Sequence, residues 1–353
     1  MLSVGNLAAL PALRGGVLAL LAAALFGVST PLVQQFGAGL GAFSTAALLY
    51  AGAAAVGLLS RQPIQREARL QRADLPRLIA MAGFGAIVGP VALAWGLQHT
   101  SGTSASLMLT LEALFTAVLA WRLYRETMDG RVWTAMALLL AGGMVLVLDQ
   151  GRTGGAQVWG LLAVLLATAA WGVDNTLSRA LAERDPGQVV MVKALLGATA
   201  TSALAVASGE PLPSALAAAA LFAIGATGYG LSLRFYLLAQ RAFGAARTGS
   251  VFAFAPFIGA AFAVALGDRS ASGLMALGSV LMLAGVLLHL AESHAHEHEH
   301  EALEHEHAHR HDDGHHDHGH DPMPAGEHSH GHRHAPLRHQ HPHVPDAHHG
   351  HRH

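Results

Sequence analysis

Residues 103–121 read TSASLMLTLEALFTAVLAW, a run in which Glu112 is the only charged side chain. A helix of about 20 apolar residues is long enough to cross the hydrocarbon core of a bilayer. Comparable runs precede and follow this one as far as residue 291. Charged residues make up 12% of the protein, against about a quarter in ordinary soluble domains. The sequence therefore predicts an all-α integral membrane protein.

Ten such runs can be placed along the chain, because backbone groups in lipid must be hydrogen-bonded within their own segment. The predicted spans are residues 15–36, 40–59, 77–98, 103–123, 131–149, 158–181, 188–208, 215–240, 245–266 and 272–291.

Arg and Lys residues indicate how these spans are oriented. Fourteen of them, Lys193 among them, fall on one side of the predicted membrane, and only Arg152 and Arg269 fall on the other. Cations beside a span are retained in the cytoplasm. We therefore expect a multi-pass protein of the cell (inner) membrane with both termini in the cytoplasm.

The two halves of the chain resemble each other when the sequence is laid on itself with a shift of 142. Gly83 then meets Gly225, and Phe115 meets Phe257. Because each half holds an odd number of helices, the second copy must be inverted relative to the first, an arrangement typical of transporters with a substrate site between the halves. The predicted organisation is a first five-helix repeat, a second five-helix repeat and a tail, at residues 14–149, 157–291 and 292–353.

Four segments resemble the EamA-type branch of the drug/metabolite transporter (DMT) superfamily. They are AALFGVSTPLV at 23–33, ATAAWGVDNTLSRAL at 167–181, SGTSASLMLTLEALFTAVLAWRLYRETM at 101–128 and FGAARTGSVFAFAPFIGAAFAVALGDRS at 243–270. The sequence departs from the family pattern at Leu114, where the second half has Pro256, and at Phe26, where Trp is common. The resemblance implies two inverted five-helix repeats and secondary active transport, with export of small metabolites or drugs in many members. It does not imply a particular substrate.

Glu112 lies near the middle of the fourth predicted span. An ionised carboxylate at bilayer depth is costly unless it faces a cavity or is paired. We therefore regard Glu112 as a candidate for proton coupling or cation binding. The alternative is a structural role, as the partner of Arg234 or of a hydroxyl group.

Asp174 and Asn175 fall in the sixth predicted span, and Arg234 falls in the eighth. A buried acid and a buried base left apart would each be destabilising. The sequence therefore favours an ion pair of Arg234 with Asp174 or with Glu112. Contact of Arg234 with substrate, or extension of its side chain to the interface, are the alternatives.

Two tryptophans are further candidates for the substrate site. Trp95 and Trp171 lie within predicted spans and are candidates to line a cavity. Packing, or anchoring at the membrane interface, is the alternative for each.

The end of the chain has a different composition from the rest. From His294 onward it holds 23 of the 25 histidines, interleaved with Glu and Asp. With few apolar residues to bury, this tail is predicted to be disordered. Imidazole and carboxylate together suit Ni, Co or Zn. The candidate ligands are His294, His296, His298, His300, His305, His307, His309, His311, His315, His316, His318 and His320.

These observations lead to a predicted function with two alternatives. We expect a secondary active transporter for a small organic metabolite or drug, which exports it by alternating access with proton coupling. The first alternative is a transition-metal transporter whose tail buffers or senses the metal, and the second is a membrane-anchored metal store or sensor without transport.

Other function classes fit the sequence less well. No phosphate-binding glycine loop or HExxH metal site occurs, so we expect neither enzyme activity nor a required cofactor. A net charge of −2 argues against nucleic acid as a partner. The expected partners are the lipid bilayer and a small-molecule or ion substrate, while a homodimer stays open.

Overall fold

The computed structural model describes a helical body and four strands in the tail. The described residues are 11–63, 67–124, 128, 130–152, 154–181, 184–243 and 245–290, and in the tail 294–300, 303–309, 328–334 and 337–343.

The body is built of α-helices joined by short turns. They are α1 (Pro11–Phe36), α2 (Ala42–Ser60), α3 (Leu75–Met81), α4 (Gly89–Leu97), α5 (Gly102–Met108), α6 (Glu112–Tyr124), α7 (Gly130–Gly151), α8 (Gly155–Ser178), α9 (Pro186–Ala207), α10 (Ala215–Ile224), α11 (Ser232–Phe243), α12 (Ala245–Phe252), α13 (Ala255–Ala265) and α14 (Gly273–Leu290). Short 3-10 helices occupy Arg72–Asp74, Leu109–Leu111 and Arg179–Leu181, and π-helices occupy Ala82–Val88 and Gly225–Leu231.

Among the described residues, nine helical segments are long and apolar enough to cross a membrane. They are Arg14–Phe36, Ala42–Ser60, Arg72–Leu97, Gly102–Leu123, Gly130–Gly151, Gly155–Ser178, Pro186–Ala207, Ala215–Ala242 and Arg247–Ala265. The apolar helix α14 follows them with 18 residues, which cover about 27 Å, close to the thickness of the hydrocarbon core. We call the nine segments and α14 the first to tenth spans. The predicted all-α membrane fold is confirmed.

The two halves share their departures from regular helix. A π-helix interrupts the third span at Ala82–Val88 and the eighth at Gly225–Leu231. The fourth span is interrupted by the 3-10 turn at Leu109–Leu111, and the ninth by the break between α12 and α13. These positions correspond when the second half is shifted by 142 or 143 residues, as expected for a two-repeat architecture.

Small residues allow the spans to pack closely. The second and eighth spans meet at Gly52 and Gly225, where a Cβ on Gly225 would lie 1.9 Å from the carbonyl oxygen of Leu49. A Cβ on Gly52 would lie 2.0 Å from the carbonyl oxygen of Phe222. Helices approach this closely in membranes only where side chains are minimal. The contact joins the first half of the protein to the second.

The described part of the tail contains four strands: β1 (His294–His300), β2 (Leu303–His309), β3 (His328–His334) and β4 (Leu337–His343). β1 pairs with β4 and β2 pairs with β3, both antiparallel. Strand pairing satisfies backbone groups without an apolar core, which is how a polar sequence can form a ladder. A two-stranded ladder of this kind is marginally stable in water.

We predict that Gly225→Ala destabilises the protein by about 1–3 kcal/mol, the usual cost of overpacking, because the new Cβ meets backbone that cannot move away. Gly83 is the repeat-equivalent glycine, and a Cβ added there meets nothing within 4 Å. Gly83→Ala is therefore the matched control and should leave stability unchanged or slightly raised. Thermal unfolding in detergent measures both, and equal stability of the two variants would contradict the packing argument.

Candidate functional site

A cavity lies where the two halves meet. Together with the open solvent at its mouth, this space measures about 570 Å³. Its walls come from the first half through Phe26, Tyr50, Ala53 and Glu112, and from the second half through the sixth to ninth spans. The lining residues of the second half are Trp171, Asp174, Asn175, Val190, Lys193, Ala194, Gly228, Tyr229, Ser232, Leu233, Tyr236 and Phe252.

Aromatic rings form much of the cavity wall. Phe26 contacts the rings of Trp171, Tyr229 and Phe252, with centroids 5.4, 5.8 and 5.5 Å away. Tyr50 packs edge-on against Tyr229 at 5.6 Å. Six rings share the wall: Phe26, Tyr50, Trp171, Tyr229, Tyr236 and Phe252. Such rings offer flat apolar faces that also attract cations.

A buried ion pair crosses the cavity wall between the sixth and seventh spans. The Lys193 ammonium donates a hydrogen bond to Asp174 Oδ2, and the two side chains are 3% and 5% exposed. Lys193 is therefore a buried partner of Asp174. The prediction that placed it among the cations beside the spans did not foresee this contact. It lies seven residues after the first residue of α9, Pro186, and so belongs to the helix and not to the loop before it.

Glu112 lies beside this pair and has a different partner. Its Oε1 accepts a hydrogen bond from the Asn175 amide. Among the ion pairs of the described residues, Asp174 pairs with Lys193, and Glu112 takes part in none. The cavity thus combines one neutralised acid with one acid that is bonded to a neutral amide.

The π-helix in the third span brings backbone to the cavity wall. The carbonyl oxygen of Gly85 accepts hydrogen bonds from the Tyr50 hydroxyl and from Trp171 Nε1, the latter at 3.0 Å. A Cβ on Gly85 would lie 2.2 Å from Asp174 Oδ2. Only glycine therefore leaves room for the Asp174 carboxylate at this point. π-helical turns free backbone groups in this way and are frequent at functional sites.

The structure brings four of the six candidate residues together, namely Glu112, Asp174, Asn175 and Trp171. Trp95 lies apart on the third span, where it is 42% exposed and stacks on His99 with ring centroids 4.1 Å apart.

Arg234 does not form the ion pair that the sequence favoured. It lies in the eighth span beside the lining residue Leu233, and its Nε has no hydrogen-bond partner among the described residues. Of the two acids it was expected to pair with, Asp174 is bonded to Lys193 and Glu112 to the Asn175 amide.

Sequence reasoning missed Lys193 and three tyrosines of the wall. The chain has only four tyrosines, and Tyr50, Tyr229 and Tyr236 line the cavity. Their rarity in a chain so rich in aliphatic residues was a usable signal. Nothing in the spacing of these residues, however, shows which helix faces meet.

Ionic contacts hold one face of the membrane region together. We call this the arginine-rich face; it carries the loops between the second and third, sixth and seventh, and eighth and ninth spans. Arg241 donates from Nη1 to both Glu67 oxygens at 2.9 and 3.0 Å. Arg184 pairs with Asp74 at 3.0 Å. In the second half, lining residues such as Trp171, Asp174 and Lys193 lie in the parts of their helices nearer this face.

The opposite face is held by hydrogen bonds between the fourth and ninth spans. Asp268 Oδ2 accepts from the Thr103 backbone N–H at 2.9 Å and from its hydroxyl at 2.8 Å. Ser270 donates to the Ser101 hydroxyl at 2.9 Å. Partial burial acts to raise the pKa of Asp268, but the hydrogen bonds from Ser270 and Thr103 outweigh it and hold that pKa below its usual value. The carboxylate at this contact is therefore charged near neutral pH.

Comparison with known proteins gives a consistent result. The sequence profile of the EamA-like transporter family matches residues 13–148 and 158–291. The chain is 27% identical over 235 residues to an uncharacterized transporter of Methanothermobacter thermautotrophicus, a match that covers 64% of this chain and 67% of that protein. A crystal structure of a protein with 20% sequence identity superposes with a TM-score of 0.57, covering 78% of this chain and 94% of that one. That last likeness shows the fold alone.

We predict that Lys193→Met destabilises the protein by about 3–5 kcal/mol, because it leaves the Asp174 carboxylate buried without its cation. The double variant Asp174→Asn with Lys193→Met should lose less than Lys193→Met alone, since no charge is then left unpaired. Chemical unfolding in detergent measures the unchanged protein, the single variants Asp174→Asn and Lys193→Met, and the double variant. If the losses of the two single variants simply add in the double variant, the two residues are not coupled and the ion-pair argument fails.

Proposed function

The chain belongs to the EamA-like transporter family, and from that premise we propose that it exports a small organic metabolite or drug by proton-coupled alternating access. We place it in the cell (inner) membrane with both termini in the cytoplasm, and we expect transport without catalysis or a required cofactor. One observation carries the proposal: a cavity between the halves, walled by aromatic rings, that holds Glu112 beside the Asp174–Lys193 pair.

The aromatic wall supports an organic solute over an ion alone. Six rings and few polar atoms line a space of about 570 Å³ with its open mouth included. A hydrated inorganic ion gains little from apolar rings, whereas an organic molecule buries its own apolar surface against them. The polar groups on Glu112, Asn175 and Lys193 would fix the orientation of such a molecule.

The charges of the cavity support proton coupling through Glu112. Asp174 shares its charge with Lys193, so its negative charge is already compensated. Glu112 has the Asn175 amide as its hydrogen-bond partner, and a carboxylate at this depth is costly when ionised and uncompensated. Binding of a proton, or of a solute that carries positive charge, would relieve that cost. The two events would then exclude each other, which is the requirement for exchange.

We predict that Glu112→Gln abolishes solute-dependent proton movement while the protein still folds, because Gln keeps the shape and the contact with Asn175 but cannot bind a proton. The assay uses purified protein in liposomes with a pH-sensitive dye and a panel of metabolites and drugs. Glu304→Gln, the same exchange in the tail, is the matched control and should behave like the unchanged protein. Absence of solute-dependent proton movement for the unchanged protein across the whole panel would contradict the proposal.

A second candidate function is the transport of Ni, Co or Zn, and the register of the tail strands favours it. In the β1–β4 ladder His296 lies opposite His341 and His298 opposite His339. In the β2–β3 ladder His305 lies opposite His332. Because imidazole is a good ligand for these metals, pairing of the two histidine-rich blocks would concentrate ligands. The third candidate, a membrane-anchored metal store or sensor, uses the same tail without the cavity.

Metal accumulation separates these candidates. We predict that cells expressing the full chain accumulate Ni, Co, Zn and Cu to the same level as cells expressing the chain cut after Glu292, because the proposed solute is organic. A change in one metal that both the cut and Glu112→Gln reduce would favour the metal transporter. A change that the cut abolishes and Glu112→Gln leaves intact would favour the store or sensor.

A further inference from the structure

Three buried hydroxyl groups lie between the cavity and the opposite face without hydrogen-bond partners. Thr30, Ser106 and Thr110 are each 1% exposed, and their hydroxyl oxygens have no partner among the residues that the structure describes. We call these three residues the hydroxyl track. A buried hydroxyl left unpaired costs about 1–3 kcal/mol in mutational data, so most such groups in folded proteins are satisfied.

Other buried hydroxyls in the spans do find partners. Thr168 donates to the carbonyl oxygen of Val164 at 2.7 Å, and Thr201 donates to that of Gly197 at 2.7 Å. Both are 0% exposed. The unpaired state of the hydroxyl track is therefore not a general property of Thr and Ser in these helices. It is a feature of one region.

The positions of the track residues connect the cavity to the opposite face. On the first span Thr30 lies one helical turn from Phe26, which lines the cavity. It lies one turn on the other side from Gln34, which donates to the carbonyl oxygens of Leu97 and Thr100 at 3.1 and 2.9 Å.

The fourth span shows the same succession. Thr110 precedes the cavity residue Glu112 by two positions, and Ser106 lies about one turn before Thr110. About one turn further lies Thr103, which bonds Asp268 at the opposite face. The track therefore begins at the cavity and ends at the hydrogen bonds that close this face.

The helices around the track are in close contact and carry small residues there. A Cβ on Gly27 would lie 2.3 Å from the carbonyl oxygen of Ala255, and one on Gly259 would lie 2.9 Å from Ser106 Oγ. The first, fourth and ninth spans therefore leave no room for water or solute at the track. At these two points the contact is made by glycine and backbone atoms and by the small Ser106 side chain, not by large side chains.

We propose that Thr30, Ser106 and Thr110 line the route from the cavity to the opposite face when the first and ninth spans separate. In the closed arrangement the three hydroxyls are buried without partners, and in the open arrangement water or the passing solute would bond them. The cost of leaving them unpaired is thus removed in the state in which they act. Asp268 and its bonds to Thr103 hold the route shut. The inference rests on the proposed function as a transporter, and it assigns residues that the cavity itself does not include.

The chain contains no cysteine, so single cysteines can be introduced into the unaltered protein. The test variants are Thr30→Cys, Ser106→Cys and Thr110→Cys, and the control is Thr168→Cys, at a buried but bonded hydroxyl. Ala194→Cys reports access to the cavity from the arginine-rich face. A membrane-impermeant methanethiosulfonate is applied to intact cells and, separately, to inverted vesicles. Size-exclusion chromatography in detergent checks that each variant is folded.

We expect the three track cysteines to react from the opposite face and not from the arginine-rich face. Adding Asp268→Asn should raise their labelling rate by about tenfold, because hydrogen bonds to a charged group are lost from the closed arrangement. Thr168→Cys should not react in either background. Failure of all three folded track variants to react, with or without Asp268→Asn, while Ala194→Cys reacts, would overturn the proposal. Labelling only from the arginine-rich face, or equal labelling of Thr168→Cys, would overturn it too.

Labelling needs no solute, so it separates this inference from the proposed function. Solute-dependent proton movement in a protein whose folded track cysteines never react would overturn the route and leave the function standing. Reactive track cysteines in a protein that moves no proton with any solute would support the route and contradict the proposed coupling.

Discussion

Hydrocarbon offers a peptide group no hydrogen-bond partner, and every part of this protein's body follows from that constraint. The backbone must satisfy itself within each segment, which produces continuous helices from Arg14 onward. Where the helices depart from regularity, the freed groups must find partners inside the protein. The π-helix at Ala82–Val88 does so at Gly85, whose carbonyl takes two side-chain hydrogen bonds. Irregular backbone therefore occurs at the cavity, where partners exist, and the same kind of irregularity recurs at the equivalent place in the second half.

The same solvent makes charge expensive, and the cavity shows how few charges the protein keeps at depth. Lys193 and Asp174 neutralise each other in direct contact. Glu112 accepts a hydrogen bond from a neutral amide, that of Asn175. Other ion pairs lie near the arginine-rich face, for example between Arg241 and Glu67. The acids of the cavity are thus separate from the ion pairs that join helices at this face.

Much of the fold could be predicted from the sequence, because span length and composition are set by the thickness of the bilayer. The depth of Glu112, Asp174 and Asn175 followed from their positions within the spans. The rotation of each helix about its own axis could not be predicted from the sequence. Because of this rotation, Lys193 faces Asp174 while Trp95 faces outward. Lys193 was counted as a loop cation because position near a helix end says nothing about a partner on the neighbouring helix. For the tail, composition predicts the absence of an apolar core and says nothing about backbone pairing.

Gly85 and its neighbours divide the cavity into a part that is constrained and a part that is free to vary. Any side chain at Gly85 would collide with Asp174, and Asp174 in turn holds Lys193. By contrast, Ala53, Ala194 and Leu233 line the same space through aliphatic groups that need no hydrogen bond. Substitutions at such positions would reshape the space without disturbing the charges. A lineage of such proteins could therefore change what it carries by gradual replacement of the wall, while the buried ion pair is inherited intact.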